Sequence, residues 1–153
     1  CTWQVGDVYA YRLESEYSRE KGFYGKYIIF QKVGETDCWP GHIIPIVVVY
    51  RWIGAEIPRM EELRKLEFLN QIRPVSLMGR TQEECYHREL VCESEKKIPV
   101  TQLILLGNQK PREKTVVKKG RCNCMGWEKT KINWTIEKET IDLYLAWQEH
   151  DNA

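Results

Sequence analysis

Three histidines, six cysteines and a scatter of carboxylates are the groups in this chain that could carry out a reaction. None stands in a catalytic pattern. The chain has no Gly-x-Ser-x-Gly nucleophile turn, no glycine-rich phosphate loop, no Gly-x-Gly-x-x-Gly and no His-Glu-x-x-His. Glu83 and Glu84 adjoin Cys85, but neighbours along a strand point to opposite faces, so adjacency there makes no dyad. Cys122 and Cys124 are too close for an easy mutual disulfide. No second close cysteine pair and no His pair offers zinc two further ligands. The cysteines therefore read as free thiols of a reducing, cytoplasmic setting. The expectation is a binding protein with no catalytic residue, no metal and no cofactor.

Three groups of residues have binding chemistry instead. Tyr9 and Tyr11, Lys26 and Tyr27, and Trp39 with His42 beside the Pro40-Gly41 turn combine rings with hydrogen-bonding heads. Gathered at one end of a small barrel, they would line a pocket for a small ligand or a partner's side chain. From Lys110 to Lys131 the chain carries eight basic residues against two acidic ones, with Trp127 among them. Basic residues interleaved with a ring neutralise a nucleic-acid backbone and stack a base, so Lys118, Lys119, Arg121 and Trp127 form a candidate phosphate-binding patch. The same stretch also fits a solvated loop or a surface for an acidic protein partner. The charged run from Glu14 to Gly22 is an excursion loop with room for one helical turn, and it offers Glu14 and Glu16 to a partner.

The elements that must position these residues are legible from pattern. Gly25 to Trp52 contains two apolar, β-branched and aromatic runs around a turn-rich linker, the mark of an antiparallel hairpin. The second run, Ile43 to Tyr50, has no charge, which predicts a strand covered on both faces at the centre of the fold. Pro45 removes a ladder donor there and predicts a bulge or sheet edge nearby. Val5 to Leu13 reads as the first strand, with Tyr9, Tyr11 and Leu13 on one face and Val8 and Ala10 on the other. Pro58 to Leu69 reads as a helix with Met60, Leu63, Leu66 and Leu69 as its apolar stripe. Residues 71–81 read as irregular, Glu84 to Cys92 and Val100 to Leu106 as strands, the latter ended by Gly107-Asn108, and 109–131 as a long loop. Thr135 to Gln148 reads as the terminal helix, capped by Thr135, with Ile136, Ile141, Tyr144, Leu145 and Trp147 to be buried.

The whole is expected to be one α+β domain over residues 1–153, a bent antiparallel sheet or small partly open β-barrel with two flanking helices. A chain of 153 residues buries about two-thirds of its unfolded surface. Its 42% apolar and 29% charged composition fits a soluble globular protein, and no apolar run reaches the roughly 20 residues needed to cross a bilayer. A net charge of +1 does not advertise a polyanionic partner for the molecule as a whole. The opening Cys1 in place of Met reads as a boundary within a longer chain.

The run Gly6-Asp7-Val8-Tyr9-Ala10-Tyr11-Arg12-Leu13, followed by Gly25-Lys26-Tyr27, resembles the start of the immunity protein 26 family, bacterial proteins inferred to neutralise polymorphic toxins. Continued through Gly25 to Lys32 and Pro40 to His42, it is similar to a group of uncharacterised proteins of Gram-positive bacteria, over about the first third of the chain. The resemblance implies a β-barrel start and a non-enzymatic, immunity-type or defence-associated protein that recognises a protein partner such as a toxin. Glu14, Glu16, Tyr11, Lys26, Tyr27, Trp39 and His42 are then the contact residues. The alternative is a PUA-like nucleotide or nucleic-acid reader that holds a base against Tyr11, Tyr27 or Trp39 and phosphate against Lys118, Lys119 and Arg121.

Overall fold

The computed structural model describes residues 4–36, 44–77, 80–87, 90–91, 102–112 and 136–151, with the backbone path alone for 36, 44 and the described part of 70–91. In chain order the elements are β1 (Asp7–Arg12), α1 (Glu16–Lys21), β2 (Tyr27–Thr36), β3 (Ile44–Gly54), α2 (Met60–Leu63), β4 (Asn70–Leu77), β5 (Arg80–His87), β6 (Leu90–Val91), β7 (Leu103–Asn108) and α3 (Ile136–Asp151). The fold is α+β. One antiparallel sheet runs in the order β6-β3-β2-β1-β7, and β4 pairs with β5 in a separate hairpin. The larger sheet is open and does not close into a barrel. The strands bulge instead: β2 against β3 between Ile28 and Phe30 and again between Lys32 and Gly34, and β1 against β7 between Val8 and Tyr9. The bulge at Val33 lies two pairs from the Pro45–Glu35 pair, close to where the proline's missing donor places it.

Strand alternation divides the core in two, as the period-2 pattern predicts. Tyr9, Tyr11, Leu13, Ile28, Phe30, Val47 and Val49 face α3 and meet its Ile136, Ile141 and Leu143. Val8, Ala10, Ile29, Ile46, Val48 and Tyr50 face the other way, onto Leu63 and Phe68 of the α2 segment. The apolar run of β3 is covered on both faces, although the middle strand of the sheet is β2. Each fully buried side chain of this size contributes about 1.5–3 kcal/mol of transfer free energy, so the two faces together dominate stability.

Gly6 fixes how β1 enters. Its φ of 96° lies in the left-handed region, and a Cβ there would stand 2.6 Å from the carbonyl oxygen of Gln109. Its N–H donates to the Lys32 carbonyl at 2.7 Å, and its own carbonyl accepts from Gln109 N–H at 2.9 Å and the Gln31 side-chain amide at 3.2 Å. Asp7 completes the corner, accepting from Gln4 N–H, the Tyr9 hydroxyl and the Asn108 amide.

Four of the expected boundaries move. The helix read over Pro58 to Leu69 is limited to α2, because the backbone beyond it is drawn onto β3. Arg51 N–H donates to Glu67, Leu69 N–H donates to Val49, and Phe68 bridges Tyr50. Extended pairing with a buried strand there outweighs the helical spacing of the leucines. Residues 70–77, read as largely irregular, form β4, with Pro74 admitted opposite Glu83 in a hairpin. The strand read over Glu84 to Cys92 divides into β5 and β6. Gly107 and Asn108 end within β7 rather than after it, the glycine lying opposite Val8 at the bulge.

Candidate functional site

The Glu14–Gly22 excursion is a tightly fastened elbow. Ser15 caps α1, its hydroxyl oxygen accepting from Ser18 N–H at 2.9 Å, and Gly22 ends it at φ 82° with its N–H on the carbonyls of Ser18 and Arg19. The fully buried Glu137, in the first turn of α3, reaches across to the elbow. Its Oε1 accepts Glu14 N–H at 2.8 Å and Ser15 N–H at 3.2 Å. One helix thus uses a carboxylate to satisfy backbone donors at the entry to another. A second tie joins the same helices. The Tyr17 hydroxyl donates to Asp142 Oδ1, and Lys138 Nζ donates to Asp142 Oδ2 at 2.8 Å. The bond to Asp142 first, then burial, then the negative charges of Asp142 and Glu20 push the Tyr17 pKa up to about 12.

With its backbone held, the elbow offers charge outward. The Glu16 side chain is 86% exposed and among the described residues pairs with Arg19, 3.8 Å away. Glu20 and Lys21 are exposed, and the Arg19 guanidinium lies 4.1 Å over the ring of Tyr24, itself 47% exposed. Glu14 is turned toward Arg12 in an ion pair.

Beside the elbow runs a row of half-buried rings with a cation at each end. Lys26 Nζ sits 5.5 Å over Phe23, Phe23 meets Tyr144 edge-on at 5.9 Å, and Tyr144 packs at 5.6 Å on Trp147. The Arg51 guanidinium closes the row 5.0 Å over Trp147. Arg51 lies between Val49 and Ile53 on the helix-facing side of β3, so strand alternation aims it at α3. Neither Lys26 nor Arg51 has a carboxylate within ion-pair distance among the described residues. Arg51 Nε is also buried without a hydrogen-bond partner. Trp, Tyr and Arg in partly desolvated settings are the residues that dominate protein interfaces.

The other expected site residues fall as follows. Tyr11 is fully buried in the α3-facing core, while Tyr27 is half-buried on the opposite face beside Trp52. The sheet separates these two rings, so one pocket does not contain both. Lys26 belongs to the aromatic row. Trp39, His42, Lys118, Lys119, Arg121 and Trp127 lie outside the described residues, as do all cysteines but Cys85, whose backbone belongs to β5. Among the described residues no helix is long and apolar enough to cross a membrane.

Sequence reasoning missed Phe23, Arg51 and the buried Glu137. It assigned Tyr144 and Trp147 to the buried face of α3, where they are half-buried. The available signal was the Tyr144 and Trp147 spacing of three at the far end of the helix stripe. Compared with family models, curated proteins and solved structures, the chain matches none.

Proposed function

We propose that this chain is a non-enzymatic binding protein of the immunity or defence-associated type, and that it recognises another protein with the surface formed where α1 packs on α3. The observation that carries the proposal is the fastened elbow. Its backbone is fixed by the Ser15 cap, Gly22 and the Glu137 carboxylate, so Glu16, Glu20 and Tyr24 are offered with little ordering left to do on binding. The adjoining row supplies the aromatic and guanidinium groups on which protein interfaces concentrate their affinity. The absence of any catalytic motif and the resemblance of the Gly6 to Leu13 run support the same function. Cysteine usage without a framework supports a cytoplasmic setting.

The test is complex formation with the product of the adjacent reading frame, measured by titration calorimetry. Charge reversal of the elbow (Glu16→Arg with Glu20→Arg) weakens that complex at least about tenfold, a change of about 1.4 kcal/mol. Oligonucleotides do not bind at any salt. An oligonucleotide affinity that falls steeply between low and moderate salt instead marks a nucleic-acid reader and overturns the proposal.

A further inference from the structure

Among the described residues the two cations that end the aromatic row have no counter-charge within ion-pair distance. Every other close charge pair near the elbow is internal: Arg12 with Glu14, Arg19 with Glu16, and Lys138 with Asp142. Lys26 and Arg51 are held only against ring faces, Phe23 and Trp147. Such contacts position a cation without neutralising it. Arg51 has the further feature of a buried Nε–H without an acceptor among the described residues, an unfavourable state for a donor. A guanidinium held over an indole ring can take a carboxylate in the fork of its N–H donors.

We infer that the row from Lys26 through Phe23, Tyr144 and Trp147 to Arg51 docks an acidic segment of the protein partner. Carboxylates engage Arg51 and Lys26 at the two ends, and the partner's apolar side chains lie on the rings between. This rests on the protein-recognition function proposed above and deepens it by naming the partner's chemistry. The charge is complementary in the required sense. Three rings stand between the two cations, an arrangement that suits a segment rather than a single anion. A peptide is favoured over a nucleic acid because the rings are only half-buried edges and faces within a packed row. They do not form an open platform on which bases could stack in succession.

The probe is a fluorescein-labelled peptide of about eight glutamates, followed by anisotropy with the full chain at low salt. An oligothymidine of matching charge and an octalysine peptide serve as comparisons. The glutamate peptide is expected to bind, and Arg51→Gln and Lys26→Glu each weaken it about tenfold. Lys26 lies on a turn outside the strands, so its variant keeps the test valid should Arg51→Gln lower the unfolding midpoint. Equal binding of the glutamate peptide by both variants, or no binding by the parent chain, overturns the acidic-segment inference. Complex formation with the adjacent-frame product then still stands or falls on the elbow variants alone. Tighter binding of the oligothymidine than of the peptide, lost in the same variants, overturns both the inference and the protein-recognition function.

Discussion

Glu137 shows how a single carboxylate orders a distant loop. Its Oε1 holds the N–H groups of Glu14 and Ser15, 123 and 122 positions away in sequence. Glu137→Gln keeps the shape and loses the charge, so it is expected to lower stability by about 1–2 kcal/mol in urea unfolding. The same variant should speed amide exchange at Ser15 through Ser18 more than elsewhere. Tyr17 makes the other tie, and it depends on pH. An unfolded tyrosine ionises near its ordinary 10.0, whereas Tyr17 bonded to Asp142 is pushed up to about 12. A pKa raised by folding contributes stability fully below pH 10 and loses it as the pH climbs through about 12. The stability gap between the parent chain and Tyr17→Phe is therefore expected to be constant below pH 10 and to close by about pH 12. A gap that stays flat across that window contradicts the Asp142 bond. Tyr50 also titrates late, because burial raises its pKa against the opposing charge of Arg112.

At the scale of elements, α2 is the piece least able to stand by itself. Its four residues follow Arg59, an N-cap that makes no side-chain hydrogen bond, and the carbonyls at its end meet Arg112. The Arg112 guanidinium donates to the carbonyls of Leu63, Arg64 and Leu66 at 3.4, 3.4 and 2.5 Å and lies 4.4 Å over Phe68. Arg112→Ala removes the one side chain that, among the described residues, bonds those carbonyls, and it uncovers Phe68. It is expected to cost about 2 kcal/mol in thermal or urea unfolding. Arg112→Lys should recover less than half of that, because an ammonium neither stacks nor forks. This arrangement also explains where the sequence was legible. The faces of β1, β2 and β3 follow the expected alternation; β1 lies within two residues of its expected bounds, whereas β3 runs four residues past Tyr50. The Met60, Leu63, Leu66 and Leu69 spacing pointed to a long helix because helical period alone carries no information about a neighbouring strand edge. Val49 and Arg51 claim the backbone of 67–69 only once β3 exists. The candidate face was legible in part. Glu14 and Glu16 stand out by local charge, whereas Arg51 meets Trp147 only through the crossing of β3 and α3, a contact no local pattern contains.

For the molecule as a whole, stability should grade outward from β2. That strand is paired on both edges, and its Ile28, Ile29, Phe30 and Gln31 are all buried. Their amides are expected to exchange only through global unfolding, while those of α1 and of β7, where Ile104 and Leu105 are 42% and 58% exposed, exchange through local opening at lower free energy. Native-state hydrogen exchange checks the ordering, and slower exchange in β7 than in β2 contradicts it. The tie from Glu137 to the elbow has a further consequence during synthesis. A nascent chain that has left the ribosome through β3 already contains the strands on which α1 is mounted, yet the carboxylate that fixes the elbow lies more than eighty residues further along. At ordinary elongation rates that is a wait of roughly ten seconds. The elbow is thus fixed late, and a chain stalled before Glu137 can build much of its sheet while the proposed recognition surface is still unformed.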